Sequence, residues 1–408
     1  MKKAKQNMFF YRIAQLACGT VGLFSFRPRI LRNEIKGKKG PFVVIANHQA
    51  VYDFVNLICA TAKPMTFVIS QSFYRTLPVR GVLDRIGVIP KQQFQTTLTD
   101  IHRMKKTIED GGILVVYPAG LMCEDGLSTP LPAATYKFLK WMKADIYVAR
   151  TIGTYLAMPK WAKKKNRPGR TYMDIYKLFS REELEAASDE AVKEATEAAL
   201  SFDAYEDQEE WRVKYRGGDN IEGLENVLYA CPHCGAEFTV RAETKTTLRC
   251  SACGYAQRAD KLGFLHRVGE IGEEIRHPSK WARRIFEGVR EKIARGEDLA
   301  LSAETEIQQI DAKKCRFAPA GEGTVSLTEK GFRLVGKIGG EDADLTIPIT
   351  HFASLPFAPG KYFEIQHGEE IYRCVLRDGK PVMKFINAVK AYYERGLAMQ
   401  REAHAIHI

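Results

Sequence analysis

Between about residues 36 and 160 short aliphatic and β-branched runs alternate with stretches of helical character. Phe42 to Ala46, Thr66 to Ser70, Ile113 to Tyr117 and Asp145 to Ala149 read as buried strands, too short and too β-branched for helices. Segments from near Tyr52, from near Leu98 and over Ala134 to Met142 read as helices. Strand–helix alternation of this kind points to an α/β sandwich.

The first run delivers a histidine to a strand end. In Val43-Val44-Ile45-Ala46-Asn47-His48-Gln49-Ala50-Val51-Tyr52-Asp53 a carboxylate follows His48 by five residues. On one helix, residues five apart point about 140° away from each other. His48 and Asp53 therefore meet only if His48 lies in the strand-to-helix turn and Asp53 on the helix behind it. An imidazole with one nitrogen held by a carboxylate keeps the other for a substrate hydroxyl proton. The pattern is common by chance, and on the pentad alone His48 reads as a helix cap ahead of a catalytic base, and Asp53 as a first-turn carboxylate favoured by the helix dipole.

With 408 residues, the chain is too long for one ordinary core. A net charge of +12 favours anionic partners such as lipid headgroups, nucleic acid or phosphorylated substrates. Met8 to Phe26 is apolar, interrupted by Arg12 and Gln15, and flanked by Lys2, Lys3, Lys5 and by Arg27, Arg29, Arg32. Arg12 would be costly at a bilayer centre. Two readings remain, a helix packed on its own domain or an interfacial helix with snorkelling basic residues, and the basic flanks favour the second. No cleavage site of the A-x-A kind follows, so a removed leader is not expected.

Four of the nine cysteines fall in Cys231-x2-Cys234-x15-Cys250-x2-Cys253. Two turn-borne pairs of thiolates form the tetrahedral cage that Zn2+ prefers, a structural site with no place for a substrate water. Cys18, Cys59, Cys123, Cys315 and Cys374 are scattered and read as reduced core residues, consistent with a reducing cytosol. The ribbon lacks a dense basic and aromatic surface, so no nucleic acid is expected as a partner. Ser180 to Ala199 reads as an acidic helix opened by a Ser180/Glu183 capping box. Glu237 to Leu248 reads as a hairpin, and Pro278 to Arg295 as a helix carrying Trp281, Ile285, Val289 and Ile293. After Pro319 strand candidates dominate: Gly323 to Leu327, Gly331 to Ile338, Ala343 to Pro348, Tyr362 to Ile365 and Ile371 to Leu376. A helix over Val382 to Arg395 follows. Antiparallel strands closed by a terminal helix suggest a PH- or GRAM-like barrel.

Downstream of His48, Leu114 to Val116 run into Tyr117-Pro118-Ala119-Gly120, which places backbone amides at a strand's C-terminal edge, where α/β folds collect their sites. Asn47-His48-x4-Asp53 followed by Tyr117-Pro118-Ala119-Gly120 resembles the PlsC-like glycerolipid acyltransferases, the 1-acylglycerol-3-phosphate acyltransferase family. Phe73 to Gly81 with Ile86 to Pro90 resembles the family's second block, and Ala157 to Trp161 its fourth. The resemblance covers residues 36 to 165. It implies acyl transfer from acyl-CoA or acyl carrier protein to a lysophospholipid-type hydroxyl at the inner face of the cell membrane. His48 would be the general base and Asp53 its orienting partner. Asn47, Arg75, Arg80, Lys91, Tyr117, Pro118 and Gly120 would line the substrate, with amides near Gly120 steadying the oxyanion.

The sequence departs from the family in two places. The third block usually reads F-P-E-G-T-R-S, and here Ala119 replaces the glutamate and Met122 the arginine. Lys91-Gln92-Gln93 stands where the second block has an arginine. These arginines are the expected phosphate clamp. Arg75, Arg80, Lys91 or the basic run Lys160 to Arg167 would have to supply the charge instead, unless that run is only a solvated loop. The rival reading is a non-catalytic, membrane-associated lipid-binding or scaffold protein.

The expected layout is an amphipathic membrane-associating helix over 1–30, an acyltransferase-like α/β sandwich over 31–216 and a four-cysteine zinc ribbon over 221–260. A helical linker over 261–300 and a β-rich domain with a terminal helix over 310–408 complete it. Structural Zn2+ and an acyl-CoA or carrier-protein co-substrate are the expected bound groups, with membrane lipids as partners. The sequence leaves the oligomeric state open.

Overall fold

The computed structural model describes residues 6–93, 97–164, 166–297, 299, 301–349 and 353–406. Lys2, Lys3, Lys5 and Lys165, named above as basic charges, lie outside them. The chain forms two compact units, residues 1–160 with 164–218, and residues 161–163 with 219–408.

The first unit opens with α1 (Met8–Val21), which runs on as a wider turn over Gly22–Phe26, and an edge strand β1 (Pro28–Asn33). Then follow β2 (Phe42–Ala46), α2 (Asp53–Ile58), β3 (Met65–Ser70), α3 (Gln71–Thr76), α4 (Arg80–Ile86) and β4 (Ile89–Lys91). After these come α5 (Leu98–Glu109), β5 (Ile113–Val116), α6 (Ala134–Met142), β6 (Asp145–Ile152), α7 (Thr154–Ala157) and β7 (Thr171–Phe179). Three acidic helices close the unit, α8 (Arg181–Ala186), α9 (Asp189–Leu200) and α10 (Ala204–Trp211).

The seven strands lie in the order β1-β7-β6-β2-β5-β3-β4. β6, β2, β5, β3 and β4 are mutually parallel, while β7 turns back antiparallel to β6 and carries β1 parallel to itself. Every residue of β2 is buried, as a central parallel strand demands. Phe42, Val44 and Ala46 pack beneath α1, α2 and α4 with Tyr11, Leu57 and Ile86. Val43 and Ile45 face the opposite layer, where α5, α6, α8 and α9 contribute Met104, Leu139, Leu184 and Val192. The expected α/β sandwich is the fold. β2 has β5 on one side and β6 on the other, so the crevice above its carboxyl end is a topological switch point.

Three strands of this sheet escaped the sequence reading. β1 is a largely exposed edge strand, β4 is three residues long, and β7 mixes Thr171, Asp174 and Lys177 among its apolar residues, so none shows a continuous apolar run. The Ser180/Glu183 capping box forms in both directions, with Glu183 N to Ser180 Oγ at 3.2 Å and Ser180 N to Glu183 Oε2 at 2.7 Å. The single helix expected after it is two, because the Ser188 hydroxyl caps a new start by accepting from Ala191 N at 3.1 Å.

The N-terminal helix packs on its own domain along one face. Tyr11 is wholly buried, its hydroxyl accepting from Met65 N at 3.1 Å. Gln15 donates to the carbonyls of Ile58 and Thr61, each at 2.8 Å. On the opposite face Phe9, Leu16, Leu23 and Phe24 are 68–77% exposed. The helix is thus fastened to the fold by one stripe and bare and apolar along the other. Met8–Phe26 is also long and apolar enough to cross a membrane by length and composition.

In the second unit β8 (Val240–Ala242), β9 (Thr247–Cys250), β10 (Ala256–Ala259) and β11 (Leu265–Val268) form a four-stranded antiparallel sheet around the cysteines. Helix α11 (Pro278–Ala294) follows. Seven strands come next: β12 (Leu301–Asp311), β13 (Arg316–Thr328), β14 (Gly331–Ile338), β15 (Glu341–Pro348), β16 (Phe357–Ala358), β17 (Tyr362–His367) and β18 (Glu370–Leu376). They are ordered β15-β14-β13-β12-β18-β17-β16, two antiparallel meanders joined through their first and last strands. The terminal helix α12 (Val382–Ile406) packs Phe385, Ile386 and Val389 into their core.

The layout drawn above needs two corrections here. The β-rich part starts at Leu301 rather than at 310, because β12 is rich in Glu and Gln and buries only Leu301, Thr305 and Ile307. Residues 261–300 are no linker, since β11 completes the ribbon sheet and Val289 and Ile293 of α11 enter the core beneath the seven-stranded sheet. The scattered cysteines also differ from expectation, as Cys59 is exposed and Cys315 half-buried, whereas Cys123 and Cys374 are buried.

Candidate active site

β2 ends at Ala46, and residues 47–52 turn over the sheet edge before α2 begins at Asp53. The turn puts His48 and Asp53 side by side despite their awkward helical spacing, with His48 Nδ1 2.9 Å from Asp53 Oδ2. Asp53 is fully buried, and the His48 ring keeps about a fifth of its surface exposed (0% and 21%). The same carboxylate oxygen accepts from the backbone N–H of Gln49 at 2.7 Å and of Ala50 at 3.0 Å. Its other oxygen accepts from Thr154 Oγ1 at 2.6 Å. Four donors thus converge on this buried carboxylate at the start of a helix. His48 Nδ1 is then the protonated nitrogen, and Nε2 is the one that carries a lone pair outward.

Asn47 does not face this opening. It is buried, its amide donates to Thr151 O at 2.8 Å, and its carbonyl accepts from Thr151 N at 2.7 Å. Asn47 therefore ties β2 to the end of β6, which corrects its placement as a substrate ligand.

The segment after β5 forms the wall beside the histidine. The Tyr117 ring lies against the His48 ring, centroids 4.6 Å apart. Burial, with a contribution from the Asp53 charge, pushes the Tyr117 hydroxyl well above its usual range, so it stays protonated. Pro118 is half-buried and Gly120 exposed, in a left-handed conformation that suits glycine (φ 69°). The Gly120 N–H donates to Tyr117 O at 3.0 Å and closes the turn. Cys123 N donates to His48 O at 3.1 Å, which pins the backbone of the histidine.

The basic candidates spread along the same sheet edge. Lys91 ends β4, half-buried, its amine donating to Gln92 O at 3.0 Å and lowered in pKa by desolvation. Arg75 and Arg80, on α3 and at the start of α4, are part-exposed. Gln93, where the family has its arginine, donates to Gly120 O at 2.7 Å and accepts from Ser70 Oγ at 3.3 Å. It stitches the ends of β3 and β5 together rather than presenting a charge. The basic run is not one solvated loop either, because Trp161, Ala162 and Arg167 are buried while Lys163 and Lys164 are exposed.

Two residues of the site went unnoticed in the sequence, Gln49 and Thr154. Gln49 donates to Thr151 O at 2.9 Å and accepts from Tyr155 N at 3.2 Å. Thr154 follows Gly153, whose φ of 83° is left-handed and whose added Cβ would meet Tyr215 Oη at 2.2 Å. Gly-Thr after a strand is the one local signal that marks the position. Gly153→Ala should therefore lower both the melting temperature and any activity, by about 1–3 kcal/mol in stability, as thermal melts would show.

In the second unit the four ribbon thiols gather, all ligand atoms within 4.8 Å of one another. Cys231 and Cys253 sulfurs lie 3.7 Å apart and those of Cys234 and Cys250 3.8 Å. A tetrahedron of Zn–S bonds has edges of about 3.8 Å. The residues present fit a tetrahedral metal ion. His233 stacks on Tyr255 instead of joining the cluster.

Residues 27–157, within the first unit, match the model of the acyltransferase family. Among solved structures, one similar to this chain is the 1-acyl-sn-glycerophosphate (LPA) acyltransferase PlsC from Thermotoga maritima. It is 17% identical with a TM-score of 0.40, covering 49% of this chain and 77% of that one. No curated protein matches the sequence.

Proposed function

We propose that the chain transfers a fatty acyl group from acyl-CoA or acyl carrier protein to a lysophospholipid-type hydroxyl at the inner face of the cell membrane. The observation that carries the reading is the His48–Asp53 contact of 2.9 Å at a strand's carboxyl edge within an acyltransferase-family domain. His48 Nε2 takes the proton of the acceptor hydroxyl as its oxygen bonds to the thioester carbonyl carbon. The carbon–sulfur bond then breaks, and the proton held on His48 passes to the departing thiolate. Asp53 keeps the ring in one tautomer and steadies the imidazolium between the two steps. Arg75, Arg80 and Lys91, on the same edge of the sheet, are the charges for an anionic headgroup.

The bare stripe of α1 supports membrane association. Phe73 and Val79 add exposed apolar side chains from α3 and the turn before α4. The Arg85 guanidinium lies over the Phe10 ring at 5.1 Å, which joins α4 to α1. Each large apolar side chain buried in lipid is worth about 1.5–3 kcal/mol. Changing Leu16, Leu23 and Phe24 together to serine should therefore weaken vesicle flotation by at least about a hundredfold, with the melting temperature kept.

Ala119 and Met122 favour a second reading, a lipid-binding scaffold without catalysis. A thiol-release assay with acyl-CoA and a panel of lysolipids separates the two. CoA release dependent on an acceptor supports the enzyme, and no release with any acceptor or either donor supports the scaffold. In both readings the ribbon holds Zn2+ as a structural ion.

A further inference from the structure

We infer that Thr154 is a positioning residue for the His48–Asp53 pair, an inference that rests on the acyl-transfer reading above. Three donors converge on one oxygen of Asp53: His48 Nδ1 at 2.9 Å, Gln49 N at 2.7 Å and Ala50 N at 3.0 Å. Nothing in that trio stops the carboxylate from turning about its Cβ–Cγ bond and offering the other oxygen. Thr154 Oγ1 does, by donating to Oδ1 at 2.6 Å. This is the shortest of the four contacts, and it comes from an element about a hundred residues away.

The threonine is itself tightly held. It is 1% exposed and opens α7 immediately after the left-handed Gly153. The Gln49 side chain closes the frame. Its backbone N–H reaches Asp53, its amide reaches Thr151 O, and its carbonyl accepts from Tyr155 N. Gln49 Oε1 also lies 3.3 Å from Thr154 Oγ1, but with a single proton to give, the hydroxyl serves the nearer charged oxygen. The end of β6 thus reaches across to set the carboxylate that sets the imidazole.

The chemistry has a defined direction. A hydrogen bond to the charged form keeps a carboxyl acidic, so its removal makes Asp53 more basic. A more basic carboxylate in turn stabilises the His48 imidazolium, and both protonations move to higher pH. Besides His48, the titratable groups that face Asp53 are the Tyr117 hydroxyl and the Cys123 thiol, which burial keeps protonated. Neither adds a competing charge.

The test uses the full-length protein. Thr154→Val keeps the side-chain shape and removes the hydroxyl, and Thr154→Ala removes it without placing a new methyl against the carboxylate. Thr154→Ser restores the donor. Two readouts are followed: the pH profile of kcat/KM, and the His48 ring titration by NMR on histidine-labelled protein, assigned with His48→Ala. Expected for Val and Ala are a kcat about tenfold to a hundredfold lower with KM unchanged. The acidic limb and the His48 titration should both move to higher pH. Serine should return both to near wild type. A His48 titration unmoved in Val and Ala overturns the inference, as does a serine variant as defective as alanine. If the wild type itself transfers no acyl group, the acyl-transfer reading fails, and the NMR titration still decides whether Thr154 governs the pair.

Discussion

Replacing His48 with alanine should cut acyl transfer by about 10²–10⁴-fold, the span that a positioned general base contributes. The melting temperature should stay within a degree or two. The separation of the two effects follows from where each partner lies. The His48 side chain is 21% exposed, and its removal leaves Asp53 with the Gln49 and Ala50 amides and the Thr154 hydroxyl. No buried charge is orphaned, so little stability is lost. Asp53→Ala should behave differently, because it strands two backbone N–H groups and a threonine hydroxyl in a fully buried site. Unsatisfied buried donors cost about 1–3 kcal/mol each, so that variant should lose stability as well as turnover. Thermal melts beside a CoA-release assay make the comparison. Full activity in His48→Ala would sink the mechanism outright.

Stripping the metal, or Cys250→Ser, should lower the melting transition of the second unit by about 10 °C or more. Zinc bound to four thiolates carries about 10–16 kcal/mol of folding free energy, comparable to the whole stability of a domain. The loss should spread beyond the four ligands because the ribbon shares a core with its neighbours. Tyr229 stacks on Phe238 and belongs to the same buried cluster as Phe363 and Phe385. The Trp281 indole N–H donates to Ala230 O at 2.8 Å, and Lys384 of α12 pairs with Glu237 at 2.7 Å. Calorimetry of the full chain with and without a strong chelator reads the shift, and elemental analysis should return one zinc per chain. A metal-free chain with an unchanged transition would show that the cysteines need no ion.

The sheet of the first unit is legible wherever strands are buried on both faces. Phe42 to Ala46 and Ile113 to Val116 are continuous apolar runs, and the structure bounds them almost as read. β1 and β4 are illegible because an edge strand needs no apolar face and a three-residue strand has no period. Around His48 the nearby chemistry is legible, since the local turn decides it. Thr154 and Gln49 are not, because their roles arise only when the end of β6 folds against the end of β2. Asn47 misleads for the same reason. Its neighbour is catalytic in the family, but its own amide is consumed by Thr151. In the second unit four closely spaced cysteines announce their cluster, whereas β12 hides its sheet partners behind glutamates and glutamines.

The N-terminal helix is anchored by Tyr11 and Gln15 along one side while Leu16, Leu23 and Phe24 point away from the fold. Such a segment cannot sink into a bilayer alone without abandoning those anchors, so on the reading proposed here it acts as a keel rather than a tether. The depth of the keel then sets how high the histidine rides above the hydrocarbon. A lipid acceptor would have to lift its hydroxyl to that height to react.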